Sequence, residues 1–522
     1  MVKPRPGNGR PVELRGSVRK RSRGRMGVWR RRGWKAAHVN QGDLLGGRES
    51  RAGVRALVVA RKGRNGPGAK GRRKVDDVTE GLGQGKPAGV SVETKQAGDV
   101  RGRWEWTEAS VWTERMLMAL EKGVKGGKWF SLIDKVYPVP NLWAAFLEVK
   151  QNGGAAGADG VTVEMFERHL VENLEKLAGL LKDGSYRPQA IRRVYIPKPG
   201  SKEKRPLGIP TVRDRVVQAA LRHALEPIFE RDFAEHSYGF RPNRGAKDAL
   251  CRVDHLLKEG YHWVVDADLK SYFDTIPHDQ LLGRVGTKIS DGKVLDLIEA
   301  FLTQDVMETA KSWTPEQGTP QGGVISPLLS NIYLDPLDYR MAEAGWEMVR
   351  YADDFVILCR SEADAQRALA LVRQWTEQAG LKLHPEKTRL VDATQAGGFD
   401  FLGYHFERGY RWPRKKSLRK FKDTIRAKTP RTSGHSLGVI IVKVNQTLKG
   451  WFEYFKHSHY TTFQPLDQWV RMRLRSILRR RRGGRGRGRG SDHQRWSNAF
   501  FAKQGMFSLA TAHAAASQSS RR

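Results

Sequence analysis

Cysteine is nearly absent. Cys251 and Cys359 are the two thiols in 522 residues, which excludes a disulfide-stapled scaffold and a cysteine-rich zinc site and suits a reducing compartment. No apolar run approaches the ~18 residues of a membrane span. The arginine-rich N-terminus lacks the apolar core of a secretion signal, so neither a membrane nor export is expected. Acid is scarce relative to base: 56 Asp+Glu face 93 Lys+Arg, a formal net charge of +37. That balance argues against an ordinary metabolic enzyme and for a polyanionic partner, nucleic acid above all. Nucleotide fingerprints are missing too. The glycine-rich run Gly153–Gly160 is followed by no Walker lysine and contains no GxGxxG, so it reads as a backbone turn.

The base that is present is unevenly spread. Residues 1–40 hold 13 Lys/Arg and one acid, Glu13, and residues 471–490 hold 10 Arg and no acid. Net charges of +12 and +10 there leave +15 for the rest, so the body is basic without its ends. Residues 1–105 are dominated by Gly, Arg, Lys and Pro. They read as a low-complexity extension, expected to be disordered on its own. Apolar spacing predicts helices over 213–230, 246–258, 290–303, 362–379, 436–455 and 464–482. The Arg/Gly run at 479–490 reads as a flexible breaker followed by a short aromatic tail.

The chemistry lies in two strand-like runs that each deliver acids. Trp263-Val264-Val265-Asp266-Ala267-Asp268 ends in carboxylates, and Glu347–Leu358 reads as strand–turn–strand with Ala352-Asp353-Asp354 at the turn. An Asp pair alone is most often a solvated turn. If both runs lie in one sheet, three carboxylates converge at its edge. Such hard oxygen ligands suit two Mg²⁺ ions about 3.5–4 Å apart, an arrangement that serves nucleotidyl transfer.

The flanking residues carry a family resemblance. Tyr351-Ala352-Asp353-Asp354 resembles the YxDD box of reverse transcriptases. Asp268-Leu269-Lys270-Ser271-Tyr272-Phe273 is similar to their first carboxylate box, and Gly318-Thr319-Pro320-Gln321-Gly322-Gly323 to the loop that backs the incoming nucleotide. Further blocks are Ile196–Gly200, Arg205–Pro210, His236–Pro242, Phe401–Tyr404, Gly450–Phe455 and Asn498–Ala502. Together they resemble the group II intron reverse transcriptase/maturase family, over roughly residues 105–515.

The resemblance implies an α+β right-hand polymerase. N-terminal helices and fingers would span 106–245, a palm with an antiparallel sheet 246–408, an α-helical thumb or maturase domain 409–482, and an Arg/Gly tail 483–522. Asp268 and Asp353 would bind both Mg²⁺ ions, with Asp354 as a third acid and the Leu269 carbonyl as a further ligand. Asp266 and Asp274 would have supporting roles. Lys198 and Arg205 would hold the triphosphate, Gln321 would contact the nucleotide from below, and Phe273 would exclude a 2′-hydroxyl. Lys387 would protonate the leaving pyrophosphate. Lys415, Lys416, Arg419, Lys420, Lys422 and Arg426 would track RNA.

The expected partners are intron RNA, an RNA template with a DNA primer, target DNA and dNTPs, with a dimer as one allowed assembly. The expected location is the bacterial cytoplasm, at the nucleoid. The form expected is one without the HNH nuclease of many relatives, since no cysteine lies beyond Cys359. Three other readings stand beside this one: a splicing maturase with a silent polymerase, another bacterial reverse transcriptase (retron, diversity-generating or CRISPR-associated), and an RNA-dependent RNA polymerase. The intact acids speak against the first, the region after 410 against the second, and Phe273 against the third.

Overall fold

The computed structural model describes residues 100–197, 204–309 and 311–519. The Arg- and Gly-rich stretch 1–99 lies outside them, as does Lys198. The packed chain begins a little before the boundary expected at 106. Trp104 is buried, and its indole N–H donates to Glu121 Oε1 at 2.6 Å.

Two four-stranded sheets and one three-stranded sheet alternate with helices. A helix α1, Val139–Asn152, precedes the hairpin of β1 (Ile191–Pro197) and β2 (Lys204–Ile209). Helix α2, Val212–Glu230, is capped by Thr211, whose hydroxyl accepts from the Asp214 N–H. It is buried on nearly every face and runs through the main core, packed against α1. Helix α3, Ala246–Lys258, leads into β3, Trp263–Asp268. Strands β4 (Val306–Glu308) and β5 (Lys311–Trp313) join the first hairpin in the order β2-β1-β4-β5.

Helix α4, Ser326–Glu343, enters the hairpin of β6 (Glu347–Tyr351) and β7 (Asp354–Cys359). Helix α5 (Glu362–Gln378) and β8 (Arg389–Asp392) follow, and the central sheet has the order β6-β7-β3-β8, all antiparallel. An unbroken apolar run makes β7 a central strand. Phe355, Val356, Ile357 and Leu358 are fully buried, as a strand covered on both faces requires. A third sheet, β9 (Phe399–Phe401), β10 (Tyr404–Glu407) and β11 (Tyr410–Pro413), leads to the C-terminal helices.

Those helices are α6 (Lys415–Lys428), α7 (Leu437–Phe455), α8 (Phe463–Arg481), α9 (Ser491–Arg495), α10 (Asn498–Lys503) and α11 (Leu509–Ser519). They share a core of their own, from Phe421 and Ile425 through Val444, Leu448 and Val470 to Trp496, Phe501 and Leu509. This corrects two expectations. The Arg/Gly run ends α8 at Arg481, as a breaker would, but it is held by Arg479 rather than free. The segment after 483 is not a separate tail, because Trp496, Phe501 and Leu509 complete the helical core. Asp467, buried on α8, fixes it there by accepting from the N–H groups of Leu509 and Ala510 and from the Ser508 hydroxyl.

Candidate active site

The central sheet brings the acids together by register. Asp268, the last residue of β3, pairs directly with Asp354, the first residue of β7. Tyr351 pairs with Asp354 across the β6–β7 hairpin, which leaves Ala352 and Asp353 as the two-residue turn. Backbone pairing, not side-chain packing, therefore sets where Asp268, Asp353 and Asp354 stand. The Leu269 side chain is buried, and the residue bridges Leu383 just beyond the strand end.

The turn is strained and braced. Ala352 has φ of 61°, a left-handed conformation that costs a non-glycine residue about 1 kcal/mol. Its neighbours hold it. Arg350, fully buried, donates to the Ala352 carbonyl at 3.0 Å, to Asp338 Oδ1 at 2.8 Å and to Asn331 Oδ1 at 3.0 Å. The block His236–Pro242 runs alongside, with Arg350 N–H donating to His236 O and Tyr238 N–H to Arg350 O. Gly239 lies against the turn so closely that a Cβ there would meet Ala352 N at 2.2 Å. Asn331 Nδ2 also donates to the Gly239 carbonyl at 2.8 Å. Sequence pattern alone does not single out these four supports, Gly239, Asn331, Asp338 and Arg350. An arginine in a buried strand, next to the acidic turn, is the one local signal of them.

The acids crowd one another. Burial, then the charges of Asp353, Asp266 and Asp268, pushes the Asp354 carboxyl up to about 7. Burial likewise raises Asp353, against the opposing pull of its own backbone N–H and of Arg205. Asp266 forms an ion pair with Arg389 at 3.0 Å. Lys387 Nζ lies 2.6 Å from Asp268 Oδ2, because the loop after Leu383 is tied to the strand end by His384 N–H donating to the Asp268 carbonyl. Among the described residues no three ligating side chains close around one point. The donor chemistry nonetheless fits a hard divalent cation: crowded carboxylates with too little local countercharge are what such an ion relieves.

The other expected contacts surround this edge. Arg205 lies on β2 opposite Ile196, and its charge acts on Asp353. The Gln321 carbonyl accepts from the Gly208 N–H at 2.7 Å, docking the Pro-Gln-Gly loop onto the β2 end. Phe273 is half-buried, edge-on to Tyr272 at 5.4 Å, and its carbonyl accepts from the Thr319 N–H at 2.7 Å. Asp268, Phe273, Arg205, Gln321 and the acidic turn thus belong to one connected region.

Residues 196–406, which hold this whole region, match the family described as reverse transcriptase (RNA-dependent DNA polymerase). Residues 418–496 match the group II intron maturase-specific domain. Protein YkfC of Escherichia coli (strain K12) is 35% identical over 291 residues, 48% of this chain and 76% of that protein. The chain belongs to the group II intron reverse transcriptase/maturase family. The group II intron-encoded protein LtrA of Lactococcus lactis subsp. cremoris is 41% identical over 196 residues, 38% of this chain and 32% of LtrA. The uncharacterized 91 kDa protein in the cob intron of Schizosaccharomyces pombe is 36% identical over 308 residues, 48% of this chain and 38% of that protein. The matches thus span about a third of the length of these two intron proteins. A reverse transcriptase domain carries a dependence on divalent metal in general.

In this reverse transcriptase/maturase the candidate RNA-binding residues lie outside the acidic edge, on α6. Lys415 and Arg419 are exposed. Lys416 and Lys420 are engaged by neighbours. Lys422 and Arg426 lie 6.0 and 5.7 Å from the Trp469 ring centroid, and Arg426 also pairs with Asp423 at 2.5 Å. The helical unit is tied to the sheet region by two tyrosines: Tyr404 donates to the Tyr454 carbonyl at 2.6 Å, and Tyr454 donates to the Leu402 carbonyl at 2.7 Å. Among the described residues no helix is long and apolar enough to cross a membrane.

Proposed function

We propose that this protein is an RNA-directed DNA polymerase of a group II intron, which extends a DNA primer with dNTPs on an RNA template and binds its intron RNA to assist splicing and mobility. It would act in the bacterial cytoplasm at the nucleoid, where target DNA lies. The observation that carries the reading is the paired register of Asp268 and Asp354, with Asp353 in the turn between β6 and β7. In right-hand terms the central sheet is the palm, the β2-β1-β4-β5 sheet and its helices the fingers, and the C-terminal helices the thumb.

Asp268, Asp353 and Asp354 would hold two Mg²⁺ ions, with the Leu269 carbonyl alongside. When bound, the ions lower the pKa of the primer 3′-hydroxyl and offset charge on the phosphates. The chain supplies the rest. Arg205 holds the triphosphate with a planar guanidinium, which suits bidentate phosphate contact. The Gln321 loop, anchored on Gly208, supports the nucleotide from below. Phe273 occupies the space a 2′-hydroxyl would need, so selectivity comes from exclusion. Lys387 is poised to give a proton to the leaving pyrophosphate once its hold on Asp268 is released. Splicing assistance needs only a binding surface, since the RNA supplies its own reacting groups.

The test is incorporation of dNTPs on a primed RNA template with Mg²⁺, beside the Asp353→Ala/Asp354→Ala variant. Incorporation abolished in the variant supports the reading. A wild-type protein that binds structured RNA but incorporates nothing refutes the polymerase and leaves a splicing cofactor.

A further inference from the structure

The longest unbroken run of arginines among the described residues lies not on α6 but where α8 ends. The local sequence is Arg479-Arg480-Arg481-Arg482-Gly483-Gly484-Arg485-Gly486-Arg487-Gly488-Arg489-Gly490. Helix α8 stops in a Schellman arrangement: Gly483, at φ 79°, donates to the Arg480 carbonyl at 3.0 Å, and Gly484 donates to the Arg479 carbonyl at 3.0 Å. The chain then folds back along the helix. A Cβ at Gly484 would meet the Arg479 side chain at 2.7 Å, and one at Gly488 would meet Arg475 Cβ at 3.1 Å. Gly484 and Gly488 face the helix, where a larger residue would crowd, and the arginines beside them are exposed.

The return is stapled. Arg479 pairs with buried Asp492, and its Nε donates to the Arg485 carbonyl at 3.0 Å. The same Asp492 accepts from the Arg489 N–H at 3.0 Å, and Arg475 donates to the Trp496 carbonyl at 2.8 Å. The nearby acid is thereby consumed internally. Arg480, Arg482, Arg485, Arg487 and Arg489 are all exposed, and none has a side-chain ion pair or hydrogen bond among the described residues. Five like charges on the end of α8 and the braced loop after it repel one another unless an anion screens them. Arginine at this density matches a row of phosphates, which it can grip bidentately.

We propose that this arginine rim is a second nucleic-acid site, distinct from the acidic edge and from α6, which binds the sugar–phosphate backbone of folded RNA without regard to sequence. The inference rests on the reading of the chain as an intron-RNA-binding protein and specifies a surface that does it. It also gives the glycines at 484 and 488 a purpose, since larger residues there would crowd α8.

The test compares the full-length protein with two variants in which all five arginines become glutamine or lysine. Affinity for a perfectly paired RNA hairpin of arbitrary sequence is measured over a KCl series, with a DNA hairpin of the same sequence in parallel. Each phosphate that is no longer neutralised flattens the slope of log K against log salt by about 0.7–0.9, so loss of all five contacts in the glutamine variant should flatten it by roughly 3.5–4.5 units and lower affinity about 10–100-fold. The lysine variant should keep most of both. Unchanged slope in the glutamine variant overturns the proposal. An equal fall in both variants overturns it too, because the effect would then not be charge. A larger fall for DNA than for RNA overturns the assignment to RNA. Equal melting temperatures establish that the fold is intact; if the glutamine variant melts lower, the lysine comparison decides. Primer extension by the wild-type protein, run alongside, reports separately on the polymerase reading.

Discussion

Replacing Gly239 with alanine tests whether the acidic turn is positioned by contact from below. The new methyl would lie 2.2 Å from Ala352 N and 2.8 Å from the Tyr351 carbonyl carbon. Ordinary van der Waals contact of a Cβ begins near 3.4 Å, so one backbone must yield by roughly 1 Å. The turn cannot yield freely, because Arg350 holds its carbonyl and Asp354 is paired to both neighbouring strands. Overpacking of this kind costs about 1–3 kcal/mol of stability. A displacement of about 1 Å at reacting groups costs roughly 10²-fold in rate. The assay is single-turnover dNTP incorporation on a primed RNA template, beside a melting curve and an RNA-affinity measurement. Gly283→Ala is the control, since nothing lies within 4 Å of a Cβ there. The expected result is a roughly hundred-fold slower Gly239→Ala enzyme with RNA affinity retained and Gly283→Ala unaffected. Full activity in Gly239→Ala would refute the bracing of the turn by the His236–Pro242 segment.

Arg350→Met leaves buried Asp338 without its partner and should cost about 3–5 kcal/mol in denaturant unfolding; a cost below about 1 kcal/mol would mean the ion pair is dispensable. Asp335 is pushed up to about 6, by burial first and then by the charge of Asp338. An acid with a raised folded pKa stabilises while neutral, so its contribution is full below about 4 and is lost as pH rises through about 6, by about 1–3 kcal/mol. Asp335→Asn should therefore melt higher than wild type at about pH 8 and match it near pH 4, and parallel pH profiles would contradict this. Phe273→Ala should admit ribonucleotides in competition assays against dNTPs; unchanged sugar selectivity would remove the gate.

Much of the site is legible in the sequence because its chemistry is written in short contiguous blocks. The β3 and β6–β7 runs announce themselves by β-branched and aromatic arms ending in acids, and the helices by apolar spacing. The pairing of Asp268 with Asp354 is only conditional there, since register is a long-range property that no local pattern states. The support beneath the turn is not legible: Gly239, Asn331, Asp338 and Arg350 come from three separate elements and meet only through the fold. Composition misleads at the C-terminus. Arg and Gly in alternation favour disorder by count, but Asp492 and the close approach of Gly484 and Gly488 to α8 hold the run in place. Tyr460 is exposed and Phe455 buried, a distinction that spacing among the interleaved aromatics does not make.

Because the three acids are located by strand pairing, the site is sensitive to length more than to composition. A one-residue slip of β7 against β3 would send every side chain to the opposite face and separate Asp354 from Asp268. Apolar exchanges within Val264–Val265 or Phe355–Leu358 keep that count and should be widely tolerated in a mutational library. Single-residue deletions in the same strands should be eliminated almost without exception. Drift in this lineage would then proceed by substitution in the central sheet, while insertions collect in the connections between its elements.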